Sequence, residues 1–301
     1  MTEAKVQEQV GSVISIILPT RGRTGGALQD SIKSLCENAD DPSRLEIMLG
    51  IDDDDQESID WVNNKATDFV SPFGCACKAK VFKPLGYEQL NVYVNLLCHA
   101  SSGAWLFLWN DDALMQTKGW DTVVRSYDGQ FKCLAPQDNH DHPFAIFPLI
   151  PADWFVLCDA WSINAQNDTW VSVIARMNGI FERIDIEILH DRADLTGGND
   201  DETFENRKYM EGNPNDPKDF NHPNMQQARM HHASKIDWFL KKMGVHNTPS
   251  PFEKFIAGEL NPFEDVNKHN PKGAGQFGSI NKQEDITSNK PRLDDDTKIT
   301  L

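Results

Sequence analysis

The chain has 301 residues, of which 39% are hydrophobic, enough for one large domain with its own core or for two small ones. Its 46 acidic and 29 basic side chains give a formal net charge of −17. This balance argues against a protein whose whole surface binds nucleic acid or an anionic membrane, because binding phosphate requires an excess of Lys and Arg. This excess of acidic residues is compatible with a bound divalent cation and with one local basic pocket.

The sequence also bears on the compartment in which the protein works. No apolar run reaches the roughly 20 residues that a membrane-spanning helix needs, and the polar start lacks the apolar stretch of a signal peptide. The six cysteines include no Cys-x-x-Cys pair, and several lie in apolar stretches, which is typical of free, buried thiols. We therefore expect a cytoplasmic protein.

Strands and helices alternate in the first part of the chain. A β-branched run over Val13–Leu18 predicts a buried strand that ends at Pro19, and the apolar spacing after it predicts a helix over Gly26–Glu37. Further strands are predicted over Leu45–Ile51, Ala79–Phe82 and Trp105–Trp109, and a further helix over Tyr87–Ala100. This alternation predicts βαβ units and a mostly parallel sheet.

The middle of the chain is less regular. We predict a strand over Phe144–Ile150 closed by Pro151, a helix over Asp168–Met177 and a strand over Ile184–Leu189. The stretch Ala193–His222 is rich in Gly, Asn, Asp and Pro, which is typical of a long mobile loop. This part of the chain therefore contains fewer regular elements than the first.

Four parts of the chain follow from these patterns. They are a flexible N-terminus (1–11), an α/β domain (12–192), a mobile loop with a C-terminal helix (193–244), and an extended arm with a disordered tail (245–301). The helix of the third part is predicted to be short and amphipathic, over Ser234–Met243. The tail over Thr287–Leu301 is predicted to be disordered because it is polar and aperiodic.

Polar clusters follow three of the predicted strands. Pro19-Thr20-Arg21-Gly22-Arg23 follows the first, Asp52–Asp55 the second, and Asn110-Asp111-Asp112 the fourth. Ligands of open α/β sheets bind at the carboxyl ends of the strands. Carboxylates bind a hard divalent cation and Arg binds phosphate oxygens, so these clusters predict a site for a nucleoside diphosphate and its metal.

The order of these motifs resembles the family-2 glycosyltransferases, over about residues 12–192. The shared pattern is an apolar strand with Pro-Thr-Arg, a helix, a strand with Asp-Asp, a second helix, and a strand with another Asp-Asp. The resemblance implies the GT-A fold, which is Rossmann-like with a mostly parallel central sheet flanked by helices, followed here by an irregular C-terminal arm. It also implies a metal-dependent transfer of a sugar from a nucleotide-diphosphate sugar to a hydroxyl acceptor.

The resemblance implies roles for particular residues. The donor-binding residues that it implies are Pro19, Thr20, Arg21, Asp52, Asp53, Asn91 and Asp111. The implied ligands of Mn²⁺ or Mg²⁺ are Asp112, Asp111 and His190. Asn110 stands where the family's Asp-x-Asp motif has its first Asp, so Asp111 and Asp112 carry the predicted metal site.

The general base that the resemblance implies is Asp168. The family has a Glu-Asp pair at the start of a helix, and here the pair reads Asn167-Asp168. An Asp base implies a single displacement that inverts the anomeric configuration. Retention of configuration, by a different arrangement, stays open.

Each of these acidic and basic residues also has a structural interpretation. Asp52–Asp55 suits a solvated turn, and both Asp111-Asp112 and Asp168 suit helix N-caps. His190 suits a buried structural histidine, and Arg21 an ordinary surface charge.

Two other functions remain open at this stage. A nucleotidyltransferase is one, because Thr20–Gly26 is similar to a Gly-rich basic loop. The other is a catalytically inactive GT-A-like module that binds carbohydrate or protein, because the Asp-x-Asp and Glu-Asp motifs are incomplete. A glycan, a lipid-linked sugar, a protein or another hydroxyl compound is a possible acceptor, and the acidic surface does not favour nucleic acid. The oligomeric state is open.

Overall fold

The computed structural model describes residues 11–139, 142–191 and 216–269. The strands in these ranges are β1 (Ile14–Pro19), β2 (Leu45–Asp52), β3 (Ala76–Phe82), β4 (Trp105–Leu108), β5 (Ala113–Met115), β6 (Cys133–Asp138), β7 (Leu149–Pro151) and β8 (Phe181–His190). They form one sheet in the order β3-β2-β1-β4-β7-β6-β8-β5.

Strand direction determines which loops meet. Strands β3, β2, β1 and β4 pair in parallel, and β7 is antiparallel to both β4 and β6. Strand β6 is parallel to β8, and β5 is antiparallel to β8. Consequently β6 and β8 point the same way as the first four strands. We call the edge where these six strands end the carboxyl edge. The predicted mostly parallel α/β sheet is confirmed.

The helices in the described ranges are α1 (Ala27–Glu37), α2 (Gln56–Trp61), α3 (Thr67–Val70), α4 (Leu90–Ala100), α5 (Trp120–Arg125), α6 (Ala152–Cys158), α7 (Asn167–Met177), α8 (Pro223–Lys242), α9 (Pro251–Ile256) and α10 (Glu264–His269). Helix α1 buries Leu28, Ile32 and Leu35, the stripe from which it was predicted. Helix α4 packs on β1 and β2 through its own stripe, which includes Val94 and Leu97.

The central strands are apolar because both of their faces are covered. Ile14, Ile16 and Ile17 of β1 are fully buried, and every residue of β2 and β4 is buried. A parallel strand covered on both faces needs a continuous apolar run instead of alternation. The predictions for β1, α1 and β2 are confirmed to within one residue, whereas β3 begins at Ala76, three residues before its predicted start.

The predicted strand over Phe144–Ile150 was wrong in extent. Only Leu149–Pro151 forms a strand, and Pro151 is its last residue. The backbone N–H of Ala145 donates instead to Ser172 Oγ of α7, 3.1 Å away. The backbone before β7 therefore bonds to a helix side chain at this point, a contact that local periodicity does not reveal.

The C-terminal part also differs from the predicted short helix and extended arm. Helix α8 begins eleven residues before the predicted start at Ser234, and α9 lies within the predicted arm. A capping box explains α9, because Ser250 Oγ accepts from the Glu253 N–H at 3.2 Å and the Glu253 carboxylate accepts from the Ser250 N–H at 2.9 Å. Residues 193–215 of the predicted loop and the tail 287–301 lie outside the described residues.

Contacts along the chain define two units, residues 1–262 and residues 263–301, and α10 is the described helix of the second. None of the described helices is both long enough and apolar enough to cross a lipid bilayer. All six cysteines are free and five of them are buried, as predicted.

Candidate active site

The carboxyl edge brings together most of the residues singled out from the sequence. We call Thr20, Arg23, Asp111, Asp112 and His190 the β4-end cluster. We call Arg21, Asp52, Asp54 and Tyr93 the β2-end cluster. Strand β1 lies between β2 and β4 in the sheet, so the loop that follows it reaches both clusters.

Asp111 joins the loop after β1 to the segment after β4. Thr20 Oγ1 donates a hydrogen bond to Asp111 Oδ2 at 2.6 Å, and Arg23 Nη1 lies 2.9 Å from Asp111 Oδ1. Burial raises the pKa of Asp111 to about 6, although the charge of Arg23 and the hydrogen bond from Thr20 act in the opposite direction. Both carboxylate oxygens are therefore bound by groups of the protein itself.

Asp112 faces His190. His190 Nε2 lies 3.3 Å from Asp112 Oδ1, within ion-pair distance, but in the described part of the chain that buried oxygen has no hydrogen-bond partner. The buried Nδ1 of His190 also has none there. Burial raises the pKa of Asp112, but the contact with His190 and the charges of His190 and Arg23 outweigh burial and hold that pKa below its usual range.

The position of His190 is set by its backbone. As the last residue of β8 it pairs with Ala113 of β5, and the Asp191 N–H donates to the Asp112 carbonyl at 2.8 Å. The Asn139 side chain accepts from the His190 N–H at 2.8 Å and donates to its carbonyl at 3.2 Å. The ring packs edge-on against Phe147, with 5.0 Å between centroids. Asp112 and His190 are thus held in contact by β-sheet pairing.

The structure brings two of the three predicted metal ligands together. Asp111 is engaged by Thr20 and Arg23, and within the described ranges no group of three or more His, Cys, Asp or Glu side chains is arranged to hold a metal ion. Mg²⁺ in nucleotide sites is usually bound by one or two carboxylates, with water and phosphate oxygens as the other ligands. Asp112 Oδ1, which is buried without a hydrogen-bond partner among the described residues, and His190 Nε2, 3.3 Å away from it, fit a cation bound in this way.

The β2-end cluster is organised around Asp52. Arg21 Nη1 donates to Asp52 Oδ2 at 2.8 Å, and the Tyr93 hydroxyl of α4 donates to Asp52 Oδ1. The Tyr93 oxygen also accepts from the Leu85 N–H at 2.8 Å. Burial, and then the hydrogen bond to Asp52, raise the pKa of Tyr93 to about 12. Arg21 pairs in addition with Asp54, and both of these side chains are 52% exposed.

The other two acids of the turn, Asp53 and Asp55, differ in their contacts. Asp55 Oδ1 accepts from the Ser58 N–H at 3.2 Å and caps α2, while Asp55 Oδ2 accepts from the Gly22 N–H at 2.7 Å. Asp55 therefore has a structural role, but as a buried N-cap and not as part of a solvated turn, and it ties the loop after β1 to the end of β2. Asp53 is exposed, and its N–H donates to the Phe82 carbonyl at 2.6 Å.

The remaining predicted residues lie on three elements. Pro19 ends β1 and pairs with Gly50, and Asn91 lies half-buried in the first turn of α4. Asp168 is the second residue of α7, whose N-cap is Gln166. The N-cap interpretation was therefore wrong for Asp168. It was also wrong for Asp111-Asp112, which lie in the turn between β4 and β5.

Sequence reasoning missed Tyr93 and Asn139. Tyr93 lies in α4, directly before the apolar residue Val94. The feature of the sequence that could have identified it is a tyrosine hydroxyl near the start of the helix that follows β3. Asn139 directly follows β6 and had no signal, because β6 itself was not predicted.

Comparisons with known proteins agree with this architecture. No protein-family model and no curated protein matches the sequence. Among solved structures, the chain is similar to residues 1–349 of S. aureus TarS in complex with UDP-GlcNAc, at 10% identity and a TM-score of 0.52, over 89% of this chain and 76% of that one.

Two further solved structures are similar at lower scores. The mannosyltransferase PcManGT from Pyrobaculum calidifontis, in complex with GDP-Man and Mn²⁺, has 10% identity and a TM-score of 0.49, over 89% of this chain and 84% of its own. In a longer TarS structure the match has 9% identity and a TM-score of 0.45, and spans 60% of this chain and 37% of that one. The likeness to the TarS fragment and the observed sheet show that the chain has the GT-A fold.

Proposed function

We propose that the chain is a glycosyltransferase that uses a nucleotide-sugar donor and a divalent cation, Mn²⁺ or Mg²⁺. The observation that supports this most is the contact between Asp112 and His190 at the carboxyl edge, beside a loop that carries two arginines. Ligands of open α/β sheets bind at this edge. The TarS fragment with the same fold holds UDP-GlcNAc, so nucleotide sugars are the first donor class to test.

Asp112 and His190 are the residues that would hold the cation, with Asp111 close to them. When bound, such a cation neutralises a diphosphate and stabilises it as a leaving group. Arg21 and Arg23 bring positive charge to the same edge, and a guanidinium matches the geometry of phosphate oxygens.

We assign the β2-end cluster to the nucleoside of the donor. Asp52 is oriented by Arg21 and by Tyr93, so its carboxylate has a defined direction in which to accept hydrogen bonds from a base or a ribose. Asp53 lies exposed directly after it. Pro19, Thr20 and Asn91 complete the proposed donor-binding set.

Asp168 is the proposed general base. Helix α7 packs against β8 and is joined to it by residues 178–180, so its N-terminus is directed toward the carboxyl edge. Asp168 lies in the first turn of this helix. The acceptor oxygen attacks the anomeric carbon, the bond from that carbon to the diphosphate breaks, and the acceptor proton passes to Asp168. This single displacement inverts the anomeric configuration.

The test is release of nucleoside diphosphate by the full chain from UDP- and GDP-sugars in the presence of Mn²⁺, with candidate glycan, lipid-linked and protein acceptors. Asp168→Asn should keep the donor affinity measured by calorimetry and lose transfer by at least about a hundredfold, as expected for a missing general base. Asp153→Asn is the matched control, because Asp153 also lies in the first turn of a helix.

Each other outcome has a defined meaning. Pyrophosphate release from a nucleoside triphosphate would identify a nucleotidyltransferase. Donor binding without turnover, with every acceptor class tested, would identify an inactive binding module. Transfer at a near wild-type rate by Asp168→Asn would make Asp168 structural, and Asp159, an exposed carboxylate directly after α6, would be the next candidate base.

A further inference from the structure

Arg23 bridges the two carboxylates of the predicted metal motif. Its Nη1 atom lies 2.9 Å from Asp111 Oδ1 and 3.5 Å from Asp112 Oδ2, and the side chain is 26% exposed. One guanidinium nitrogen therefore lies between two adjacent, largely buried acids. Acids in such a position need a counterion, because an unpaired buried charge is costly.

Arg23 neutralises Asp112 from only one side of the carboxylate. Arg23 approaches Asp112 through Oδ2, whereas the buried Oδ1 of Asp112 faces His190 without a hydrogen bond in the described residues. A divalent cation held by Asp112 and His190 would place a second positive charge on a carboxylate that Arg23 already neutralises. Like charges at such short separation repel strongly where water is scarce, so the two cations compete for Asp112.

Arg23 has space and chemistry for a second position. The Arg23 side chain is 26% exposed, so part of it already lies at the surface, and Gly22 and Gly26 flank its loop. Thr24 Oγ1 donates to Glu57 Oε1 at 2.7 Å and anchors the loop between them. The guanidinium can therefore turn away from the acids while the loop stays in place, and a phosphate group suits its fork of donors.

We propose that Arg23 is the internal counterion of Asp111 and Asp112, that it yields its place to the divalent cation, and that it then binds the diphosphate of the donor. This inference rests on the proposed function for the identity of the anion, but the competition between Arg23 and the cation does not require a nucleotide. It predicts effects of opposite sign, because Arg23 weakens the binding of the metal alone and strengthens the binding of the diphosphate.

The experiment uses the full chain and Arg23→Gln. Calorimetric titration with Mn²⁺ alone should show affinity at least about fivefold tighter than wild type, because a competing charge–charge contact has been removed. Titration with UDP at saturating Mn²⁺ should show affinity about tenfold weaker, the loss of a charge-assisted hydrogen bond. Lys33→Gln removes the same charge from an exposed pair with Glu37 on α1 and should change neither affinity by more than about twofold.

A second variant guards against a folding defect. Arg23→Lys keeps the charge and loses the fork, so it should bind Mn²⁺ like wild type and UDP more weakly. Mn²⁺ affinity in Arg23→Gln that equals or falls below that of Lys33→Gln would overturn the inference, whatever the nucleotide result. Tighter Mn²⁺ binding without any nucleotide-sugar turnover by the wild-type chain would support the counterion role and reject the proposed glycosyltransferase.

Discussion

The two acidic clusters share one edge of the sheet but neutralise their charges differently. In the β2-end cluster both oxygens of Asp52 accept hydrogen bonds from the protein, and Arg21 is half exposed. In the β4-end cluster Asp112 Oδ1 is buried and lies 3.3 Å from His190 Nε2, but it makes no hydrogen bond among the described residues. A buried polar atom without a partner is costly, whereas a solvated one is not. A cation would thus supply the partner that Asp112 Oδ1 lacks in the β4-end cluster, whereas both carboxylate oxygens of Asp52 in the β2-end cluster already have partners.

Asp112→Asn should produce the largest effect, because it removes the charge of Asp112 from the β4-end cluster and keeps the side-chain shape. UDP affinity in the presence of Mn²⁺ should fall by at least about a hundredfold, the usual size of losing one partner of a buried charge pair. Calorimetric titration with UDP in the presence of Mn²⁺ and in the presence of EDTA measures the metal-dependent part of the UDP affinity. If UDP affinity in the presence of Mn²⁺ is unchanged, Asp112 does not hold the metal, and the proposed difference between the two clusters is wrong.

His190→Gln should have the next largest effect, with Mn²⁺ affinity about tenfold weaker or more, as for groups that ligate or orient metal ligands. His232→Gln is the matched control. His232 is also a buried histidine, but it lies on α8 and accepts from Trp170 Nε1 at 3.3 Å. Equal losses in both variants would mean that the effect comes from general destabilisation, and that His190 is structural.

Tyr93→Phe tests the β2-end cluster. It removes one hydrogen bond to Asp52 and keeps the edge-on ring contact with Phe82 at 5.3 Å. UDP affinity should fall about three- to tenfold, because a hydrogen bond to a charged group is lost, and Mn²⁺ affinity should stay the same. If Mn²⁺ affinity falls as well, the two clusters are coupled and the comparison between them fails.

Asp54→Asn should produce the smallest effect. Its pair with Arg21 is half exposed, and exposed ion pairs contribute little and are screened by salt. UDP and Mn²⁺ affinities should both stay within about twofold of wild type in the same titrations. A larger loss of UDP affinity would show that Arg21 needs Asp54 as well as Asp52 to hold its position.

Much of the fold could be predicted because the strands and helices of its first half have recognisable local sequence patterns. Continuous apolar runs indicated β1, β2 and β4, and a stripe at helical spacing indicated α1. The missed elements were short or irregular in composition. Strand β5 has three residues and α5 six, too few for a period to emerge, and β6 contains a Pro and a Gln.

The sequence by itself determined which polar residues follow which strands, since a buried parallel strand must end before a charged side chain can reach water or a ligand. That is why Thr20, Asp52, Asp111 and Asp112 could be assigned to one edge. Their partners were decided by the tertiary structure. Tyr93 meets Asp52 from 41 positions away and Arg23 meets Asp111 from 88, and these contacts depend on how helices and loops pack on the sheet. His190 reaches Asp112 only because β8 pairs with β5, and such pairing is set by non-local packing, which no local pattern encodes.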